Sequence, residues 1–492
     1  MLGGSLQGFI LLAMGRGFQV LAGLVTIKVV TTILSPGELG TVNQVMSLAV
    51  FGASVVLTPV ATYIWRGFFE WLDADTLRER LRSYLLFVSL VSMAFGLGVW
   101  TIQDQTSFVS GIGAVWVGFL VALYVFGFST HTMAASGLNL LGHRLLYVSF
   151  GNIAVWGGLV LAVYLSRAGI GPETWLLGIY GGFLLASTSY LFLYRYASSS
   201  RYCGLDLGAR ETISFDQWKM FMFAWPQVIS NGLWWVQSQS YRFILNWIDN
   251  IASVGLFAMG YMICSVPIQT FETLFNEYYS PTLYRALKAQ DAAGIARAWE
   301  AYARAYLPAV ILFGSFMAGN AAFLAKLLLG EQFQSVAPIL IWPALTETMR
   351  ASLSSLHTLG VAKVDMTISL PPVIAGALAA PILVLILATH DALLGTAIAL
   401  LGAGAVALIV GIYVNYRTLP ITWPMRRIAI AIALSLPLIL MGHILNAVLG
   451  DLTDDKAGMA LAISALAMLL LQYAMAKDWI HQMRPAEAEA TV

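Results

Sequence analysis

About fourteen apolar segments, most of them 20 to 30 residues long, constrain this chain more than any other feature of its sequence. Each is long enough to cross a bilayer as a helix, which takes about 20 apolar residues. Only 10% of the residues are charged, against about 25% in soluble domains. The sequence therefore predicts an all-α membrane protein with about 14 transmembrane helices. They are placed at 6–34, 41–65, 83–102, 112–137, 145–166, 175–195, 218–247, 252–276, 304–328, 335–358, 367–389, 393–415, 425–449 and 457–476.

The distribution of Lys and Arg between the loops predicts the orientation. With the N-terminus inside, the outer loops hold only Arg167, Lys326 and Lys456. The other basic loop residues lie on the inner side, as the positive-inside rule requires. Both termini are therefore predicted to be cytoplasmic. The first segment is too long for a signal peptide and carries Arg16, so we expect a retained helix.

The order of the segments predicts two lobes. Ser35-Pro36-Gly37-Glu38-Leu39-Gly40 aligns with Asn250-Ile251-Ala252-Ser253-Val254-Gly255, which indicates a weak parallel repeat of six helices. Transporters are often built from such halves, with the substrate site between them. The predicted parts are an N-lobe (1–200), a cytoplasmic linker (201–217), a C-lobe (218–420) and two further helices with a tail (421–492). Within the C-lobe, the cytoplasmic segment 277–303 is an amphipathic helix on the membrane surface or an ordinary connector.

Charged residues inside the predicted spans suggest what the protein carries. The cations are Arg16, Lys28, Arg242 and Arg350, and the acids are Glu272 and Glu347. One Arg or Lys at a helix centre costs about 2.5–3.5 kcal/mol, so cations are expected to face a wet interior rather than lipid. The excess of positive charge favours an anionic cargo.

Polar residues also recur at helical spacing, which places them on single helix faces. Such stripes line a cavity or join helices by hydrogen bonds. The candidate lining residues are Asn43, Asn231, Trp235, Gln237, Ser238, Gln239 and Tyr261.

Several of these residues have a structural reading as well as a functional one. Glu347 and Arg350 are spaced to form an ion pair on one helix, as an alternative to binding substrate or ion. Lys28 and Arg242 lie near the outer ends of their helices and could snorkel. Glu272 is a coupling residue or reaches the interface, and His131 is a proton relay or a packing residue.

The sequence carries few signals for other functions. It has no phosphate-binding loop and no cluster with metal-ligand spacing. Cys203 falls in a loop and Cys264 in a span, so no disulfide is expected. A net charge of +1 suggests no nucleic-acid partner. No cofactor is expected apart from a coupling Na⁺ or H⁺.

The sequence resembles the polysaccharide-unit flippases of the O-antigen (Wzx) type, in the multidrug/oligosaccharidyl-lipid/polysaccharide exporter superfamily. The resemblance rests on weak motifs in a shared order, namely Thr31–Gly40, Leu138–Arg144, Tyr241–Leu245, Val254–Phe257, Pro267, Pro281–Tyr284 and Leu328–Phe333.

This resemblance implies alternating access between two six-helix lobes in the bacterial inner membrane. The implied cargo is an undecaprenyl-diphosphate-linked oligosaccharide, moved to the periplasmic leaflet. The implied partners are membrane lipids, a polysaccharide polymerase and a chain-length regulator. Arg16 and Lys28 match cavity cations of related flippases by helix, and Arg242 matches by lobe symmetry. Tyr241 departs from the pattern, because an acid is common there.

Three other functions compete with this interpretation. A multidrug or cation antiporter of the same superfamily should have a net acidic cavity. A membrane glycan polymerase or ligase should have a large external loop or catalytic carboxylates, and this chain shows neither. A scaffold for polysaccharide assembly is the third.

Overall fold

The computed structural model describes the backbone of residues 2–169, 171–197, 217–288, 292–362, 370–418, 422–450 and 452–489. Side chains are described from Met14 to Met475, except beside those gaps, in most of 277–295 and in all of 357–369. Within these ranges the chain is helical and contains no strand. The predicted all-α fold is confirmed.

The first ten helices precede the predicted linker. They are α1 (Leu2–Ile33), α2 (Pro36–Phe51), α3 (Thr58–Arg66), α4 (Phe68–Asp73), α5 (Leu77–Thr106), α6 (Ala114–Leu140), α7 (Arg144–Asn152), α8 (Gly158–Ser166), α9 (Pro172–Ala186) and α10 (Ser189–Tyr196). A π-helical segment, Gly52–Leu57, joins α2 to α3, and a second one, Ile153–Gly157, joins α7 to α8.

The remaining helices follow the linker. They are α11 (Gln217–Gln239), α12 (Tyr241–Ile248), α13 (Ile251–Lys288), α14 (Ala292–Gly319), α15 (Ala321–Leu328), α16 (Ile341–Ala362), α17 (Leu370–Leu387), α18 (Ala392–Thr418), α19 (Met425–Leu449) and α20 (Asp454–Glu489). A 3₁₀ segment, Glu331–Ile339, lies between α15 and α16.

Twelve helical stretches in the described ranges are long and apolar enough to cross a membrane. They fall on twelve of the predicted spans, and the protein is a multi-pass membrane protein. The other two predicted spans, 218–247 and 335–358, are helical as well. They hold Arg242, Glu347 and Arg350, so they carry three of the six intramembrane charges.

The start of α2 shows how sequence signals set a helix boundary. The Ser35 hydroxyl accepts the Glu38 backbone N–H, and the Glu38 carboxylate accepts the Ser35 backbone N–H at 2.8 Å. This capping box satisfies two backbone donors that the first turn leaves unpaired. Pro36 occupies the first helical turn, where its missing N–H costs nothing.

The chain divides into two compact units. Unit 1 comprises residues 1–26, 33–235 and 250–255, and unit 2 comprises 27–32, 236–249 and 256–492. In unit 1, α6 packs against α5 and α9, and α9 packs against α8. In unit 2, α14 packs against α16 and α19, and α18 packs against α16 and α17. Each unit therefore has its own helical core.

The structure describes only part of the predicted linker and of the segment 277–303. The linker lies outside the described residues up to position 216. Within 277–303, α13 continues to Lys288 and α14 begins at Ala292, with 289–291 outside the description. Trp299 is fully buried and donates its indole N–H to the Ser355 carbonyl at 3.0 Å. This side chain therefore packs within the protein.

Candidate functional site

Two of the predicted lining residues on α11 donate hydrogen bonds to backbone carbonyls of neighbouring segments. Asn231 donates its amide N–H to the Ser54 carbonyl at 2.7 Å, and Trp235 donates its indole N–H to the Ser47 carbonyl at 2.7 Å. Asn43, buried on α2, donates to its own helix at the Leu39 carbonyl. These three predicted lining residues join or brace helices of unit 1 through these bonds.

Three more predicted lining residues lie at the junction of α11 and α12. Gln237, Ser238 and Gln239 are half-buried. The amide of Gln237 lies against Gly376 on α17, where an added Cβ would come within 2.5 Å of it. The Gln239 amide donates to the Ser238 hydroxyl at 3.4 Å.

Arg16 lies on α1 and reaches α7. Its guanidinium donates to the side-chain amide oxygen of Gln19 at 2.9 Å and to the Tyr147 hydroxyl at 2.6 Å. The guanidinium carbon also lies 5.7 Å from the centre of the Tyr147 ring. No pattern in the sequence pointed to Tyr147 as a partner, because the two residues are 131 positions apart.

Lys28 is exposed near the end of α1. Its ammonium donates to the Leu329 carbonyl at 3.3 Å, just after the last residue of α15. A cation at that position complements the negative end of a helix dipole.

The principal charged cluster of unit 2 joins α13 to α16, and we name it the Arg350 cluster. Arg350 donates from Nε to Glu347 at 2.7 Å and from Nη2 to Glu272 at 2.8 Å. The Tyr261 hydroxyl donates to the second oxygen of Glu347 at 2.5 Å. These four residues define the cluster. Its side chains are largely buried, with 2% of Glu347, 10% of Glu272 and 24% of Arg350 exposed.

The charge of this cluster does not balance. Two carboxylates and one guanidinium carry a net charge of −1 when all three are ionised. The spacing on α16 predicted the Glu347–Arg350 pair, but nothing in the sequence showed that Glu272 and Tyr261 join it.

Two aromatic rings, those of Tyr241 and Tyr261, connect Arg242 to the Arg350 cluster. Its guanidinium carbon is 5.2 Å from the centre of the Tyr241 ring. The Tyr241 ring is buried and lies 6.5 Å from that of Tyr261, which belongs to the cluster. The structure thus brings together Arg242, Arg350, Glu272, Glu347 and Tyr261 in unit 2.

His131 lies apart from these groups, on α6 in unit 1. Its side chain is buried, and its ring centre is 6.4 Å from that of Phe183. Tyr124, Phe128 and Phe183 form an aromatic cluster beside it. This environment is typical of a packing residue, and a role as a proton relay stays a prediction. In the part of the chain that the structure describes, no three His, Cys, Asp or Glu residues are grouped to hold a metal ion.

Comparison with known proteins extends these findings. A family described as "Polysaccharide biosynthesis protein" matches residues 181–338. Among curated proteins, none matches the sequence.

Solved structures match over most of the chain. The lipid II flippase MurJ in an inward closed conformation superimposes with a TM-score of 0.72 at 13% identity, over 96% of this chain and 100% of that one. A transporter of the MOP superfamily from Pyrococcus furiosus gives 0.60 at 14% identity, over 83% and 95%. The eukaryotic MATE transporter AtDTX14 gives 0.56 at 16% identity, over 88% and 100%.

At these identities the likeness establishes the fold. The resemblance seen in the sequence is confirmed at this level. This chain has the fold of the multidrug/oligosaccharidyl-lipid/polysaccharide exporter superfamily.

Proposed function

We propose that this protein flips an undecaprenyl-diphosphate-linked oligosaccharide from the cytoplasmic to the periplasmic leaflet of a bacterial inner membrane. The single observation that carries the proposal is the match to the lipid II flippase, with a TM-score of 0.72 and the whole of that chain covered. MATE transporters match less well, at 0.56 and 0.55. The family match to a polysaccharide biosynthesis protein supports the same class of cargo.

The intramembrane cations supply the chemistry that this cargo needs. A diphosphate does not cross hydrocarbon unaided, and a guanidinium offsets its charge through bidentate, charge-assisted hydrogen bonds. Gln19 and Tyr147 hold the guanidinium of Arg16 in position between α1 and α7. Arg242 is half-buried against an aromatic ring. In the proposed cycle these two arginines bind the diphosphate, and the half-buried Gln237 and Gln239 hydrogen-bond sugar hydroxyls.

An ion gradient or the membrane potential drives the cycle in this proposal. The Arg350 cluster supports ion coupling, since two buried carboxylates from different helices share one guanidinium there. The tyrosines that connect it to Arg242 would let ion binding influence the cargo site. Glu272 and Glu347 are the proposed coupling residues. The polymerase and the chain-length regulator of the same polysaccharide are the proposed protein partners.

The second candidate is a multidrug or cation antiporter. The observation that favours it is the same buried acidic excess, because a cluster of charge −1 also attracts an organic cation. The two functions differ in where cargo binds. A flippase needs Arg16 and Arg242, whereas a cation antiporter needs the carboxylates and no arginine in its cargo site.

Substitution of the two arginines tests the proposal. We expect Arg16→Ala and Arg242→Ala to trap the carrier-linked glycan in the cytoplasmic leaflet while the protein still inserts, and Lys at either position to restore part of the export. Arg167→Ala is the matched control, because Arg167 is exposed in a loop. Normal glycan export by both alanine variants, or efflux of organic cations without glycan export, would overturn the proposal.

A further inference from the structure

Two exposed arginines lie at the start of α5, on the side of the membrane that the distribution of basic residues assigns to the cytoplasm. Arg78 and Arg82 are four residues apart, so they lie one above the other on a single face of the helix. In the part of the chain that the structure describes, neither guanidinium forms an ion pair with a carboxylate. Their positive charges are therefore open to an anionic ligand.

The end of α10 fixes the position of Arg78. Its Nε donates to the Tyr194 carbonyl oxygen at 3.4 Å, and its guanidinium carbon lies 5.0 Å from the centre of the Tyr194 ring. That carbonyl belongs to the last turn of α10, where helix carbonyls lack a backbone partner. The two terminal nitrogens of Arg78 make no hydrogen bond to any described residue. A guanidinium positioned in this way presents a planar pair of donors to a phosphate.

A second bond joins the same two helices about one turn further into the membrane. The Tyr190 hydroxyl donates to the Leu81 carbonyl at 2.6 Å, and both side chains are buried. Packed groups therefore hold α5 and α10 together at this point. The position of Arg78 beside Tyr194 depends on that packing rather than on a loose surface contact.

An apolar stripe continues from the arginine pair along α5. Leu86, Leu90, Met93 and Leu97 follow Arg82 at steps of three or four residues, which keeps them near one face, and each is 51% to 63% exposed. From Arg82 to Met93 the helix rises about 17 Å. One leaflet of a bilayer contributes about 15 Å of hydrocarbon, half of the core thickness. The cationic pair and the stripe together therefore match a phospholipid, with its phosphate above and an acyl chain below.

Another pair of arginines on the same side of the membrane lacks these features. Arg426 and Arg427 are exposed at the start of α19. They are consecutive, so their side chains point about 100° apart and do not share a face. Neither side chain has a hydrogen bond or a ring contact among the described residues. This pair is therefore an internal reference for a general attraction between basic residues and an anionic membrane surface.

We infer that α5 and α10 hold one anionic phospholipid of the inner leaflet. Arg78 and Arg82 bind its phosphate through charge-assisted hydrogen bonds, and an acyl chain lies along the stripe that begins at Leu86. Basic pockets between membrane helices on the cytoplasmic side bind phospholipid headgroups in this way. All of these residues belong to unit 1, and none is a candidate cargo residue. The site therefore does not depend on the proposed function.

Lipid competition on the purified full-length protein tests this site. The protein in detergent is mixed with equal amounts of phosphatidylglycerol and phosphatidylcholine of one chain length, and native mass spectrometry measures which lipid it retains. We expect the native chain to prefer phosphatidylglycerol, Arg82→Ala to weaken its retention about tenfold, and Arg78→Ala with Arg82→Ala to remove the preference. Arg426→Ala with Arg427→Ala is the matched control and should retain the lipid as the native chain does.

Several outcomes would overturn the inference. Equal losses in the α5 and α19 variants would show a general attraction to anionic lipid, and equal retention of phosphatidylcholine by the native chain would remove the role of charge. Displacement of the lipid by an equal concentration of glycerol 1-phosphate, which has no acyl chains, would reduce the site to a phosphate site. Arg82→Ala keeps the test valid if the double variant does not fold, because Arg82 makes no hydrogen bond to a described residue. None of these measurements involves the cargo, so the proposed function stands or fails separately.

Discussion

Two charged regions of this protein bind their arginines in opposite ways. In unit 1, Arg16 donates to an amide oxygen and a phenol, both neutral. In unit 2, Arg350 donates to two carboxylates, and a tyrosine braces one of them. The first arrangement holds the guanidinium in position through side-chain oxygens of two different helices. The second more than neutralises the cation, so Arg350 serves there as the counter-ion of two acids.

The hydrogen-bond partners of an intramembrane arginine therefore indicate its role. Arg16 and Arg350 were both predicted as cargo-binding cations on the strength of their position in apolar segments. The proposed function keeps that role for Arg16, whereas the two carboxylate partners of Arg350 favour a place in a buried ionic cluster. Substitutions at each site test this difference between the two arginines.

Removing Arg350 should have the largest effect on stability. In Arg350→Ala, the carboxylates of Glu272 and Glu347 stay buried without a counter-ion, which costs about 3–5 kcal/mol of unfolding free energy. Thermal unfolding of the purified protein in detergent measures this loss. Adding Glu272→Gln and Glu347→Gln to the same chain should recover most of it, because no unpaired charge remains. An Arg350→Ala protein as stable as Arg16→Ala would show that the two arginines do not differ.

Removing Arg16 should damage transport more than folding. Loss of a charge-assisted hydrogen bond to cargo costs about 1.5–3 kcal/mol, which lowers export about 10- to 100-fold. The midpoint of thermal unfolding should stay near that of the native chain. Glycan export in cells and unfolding in detergent are measured on the same variant, with Arg16→Lys as the charge-preserving control. A variant that unfolds early and exports normally for its abundance would make Arg16 a structural residue.

Replacing Glu272 by a neutral residue should abolish ion coupling with only a small effect on the free energy of unfolding. Glu272→Gln removes the excess negative charge and leaves the Glu347–Arg350 pair intact, so the unfolding free energy should change by about 1–2 kcal/mol. In proteoliposomes, export should continue but lose its response to an imposed proton or sodium gradient. If the response persists at full size, the cluster is a structural ion pair, as the sequence alone allowed.

The smallest expected effect concerns the two tyrosines that brace the arginine groups. Tyr147→Phe removes one hydrogen-bond acceptor from Arg16, about 1 kcal/mol, which corresponds to about fivefold weaker cargo binding. Tyr261→Phe removes a bond to a carboxylate and should instead shift the ion response. Dose–response curves for cargo and for the coupling ion measure the two. Identical effects of both substitutions would argue against two distinct sites.

Much of the fold was predictable because membrane spans depend on local composition. Apolar segments located the spans, and Ser35 with Glu38 marked the start of α2 through a local capping box. The Glu347–Arg350 pair was also local, since residues three apart share a helix face.

The partners of the charged groups were not predictable in the same way. Glu272 meets Arg350 across 78 positions and Arg16 meets Tyr147 across 131, and no periodicity in one sequence encodes such pairs. The stripe on α11 was ambiguous for a physical reason. Asn231 and Trp235 donate equally well to water in a cavity or to a neighbouring carbonyl. Only the packed structure shows that their acceptors are the backbone carbonyls of Ser54 and Ser47.

The central claim is that arginines within the membrane bind the diphosphate of a lipid carrier. The most direct test is equilibrium binding of undecaprenyl diphosphate carrying a short glycan to the purified protein in detergent. We expect Arg16→Ala and Arg242→Ala each to weaken binding at least tenfold, undecaprenol without the diphosphate to bind poorly, and Arg167→Ala to bind normally. Equal binding by all four proteins, the native chain included, or equal binding of the uncharged alcohol, would contradict it.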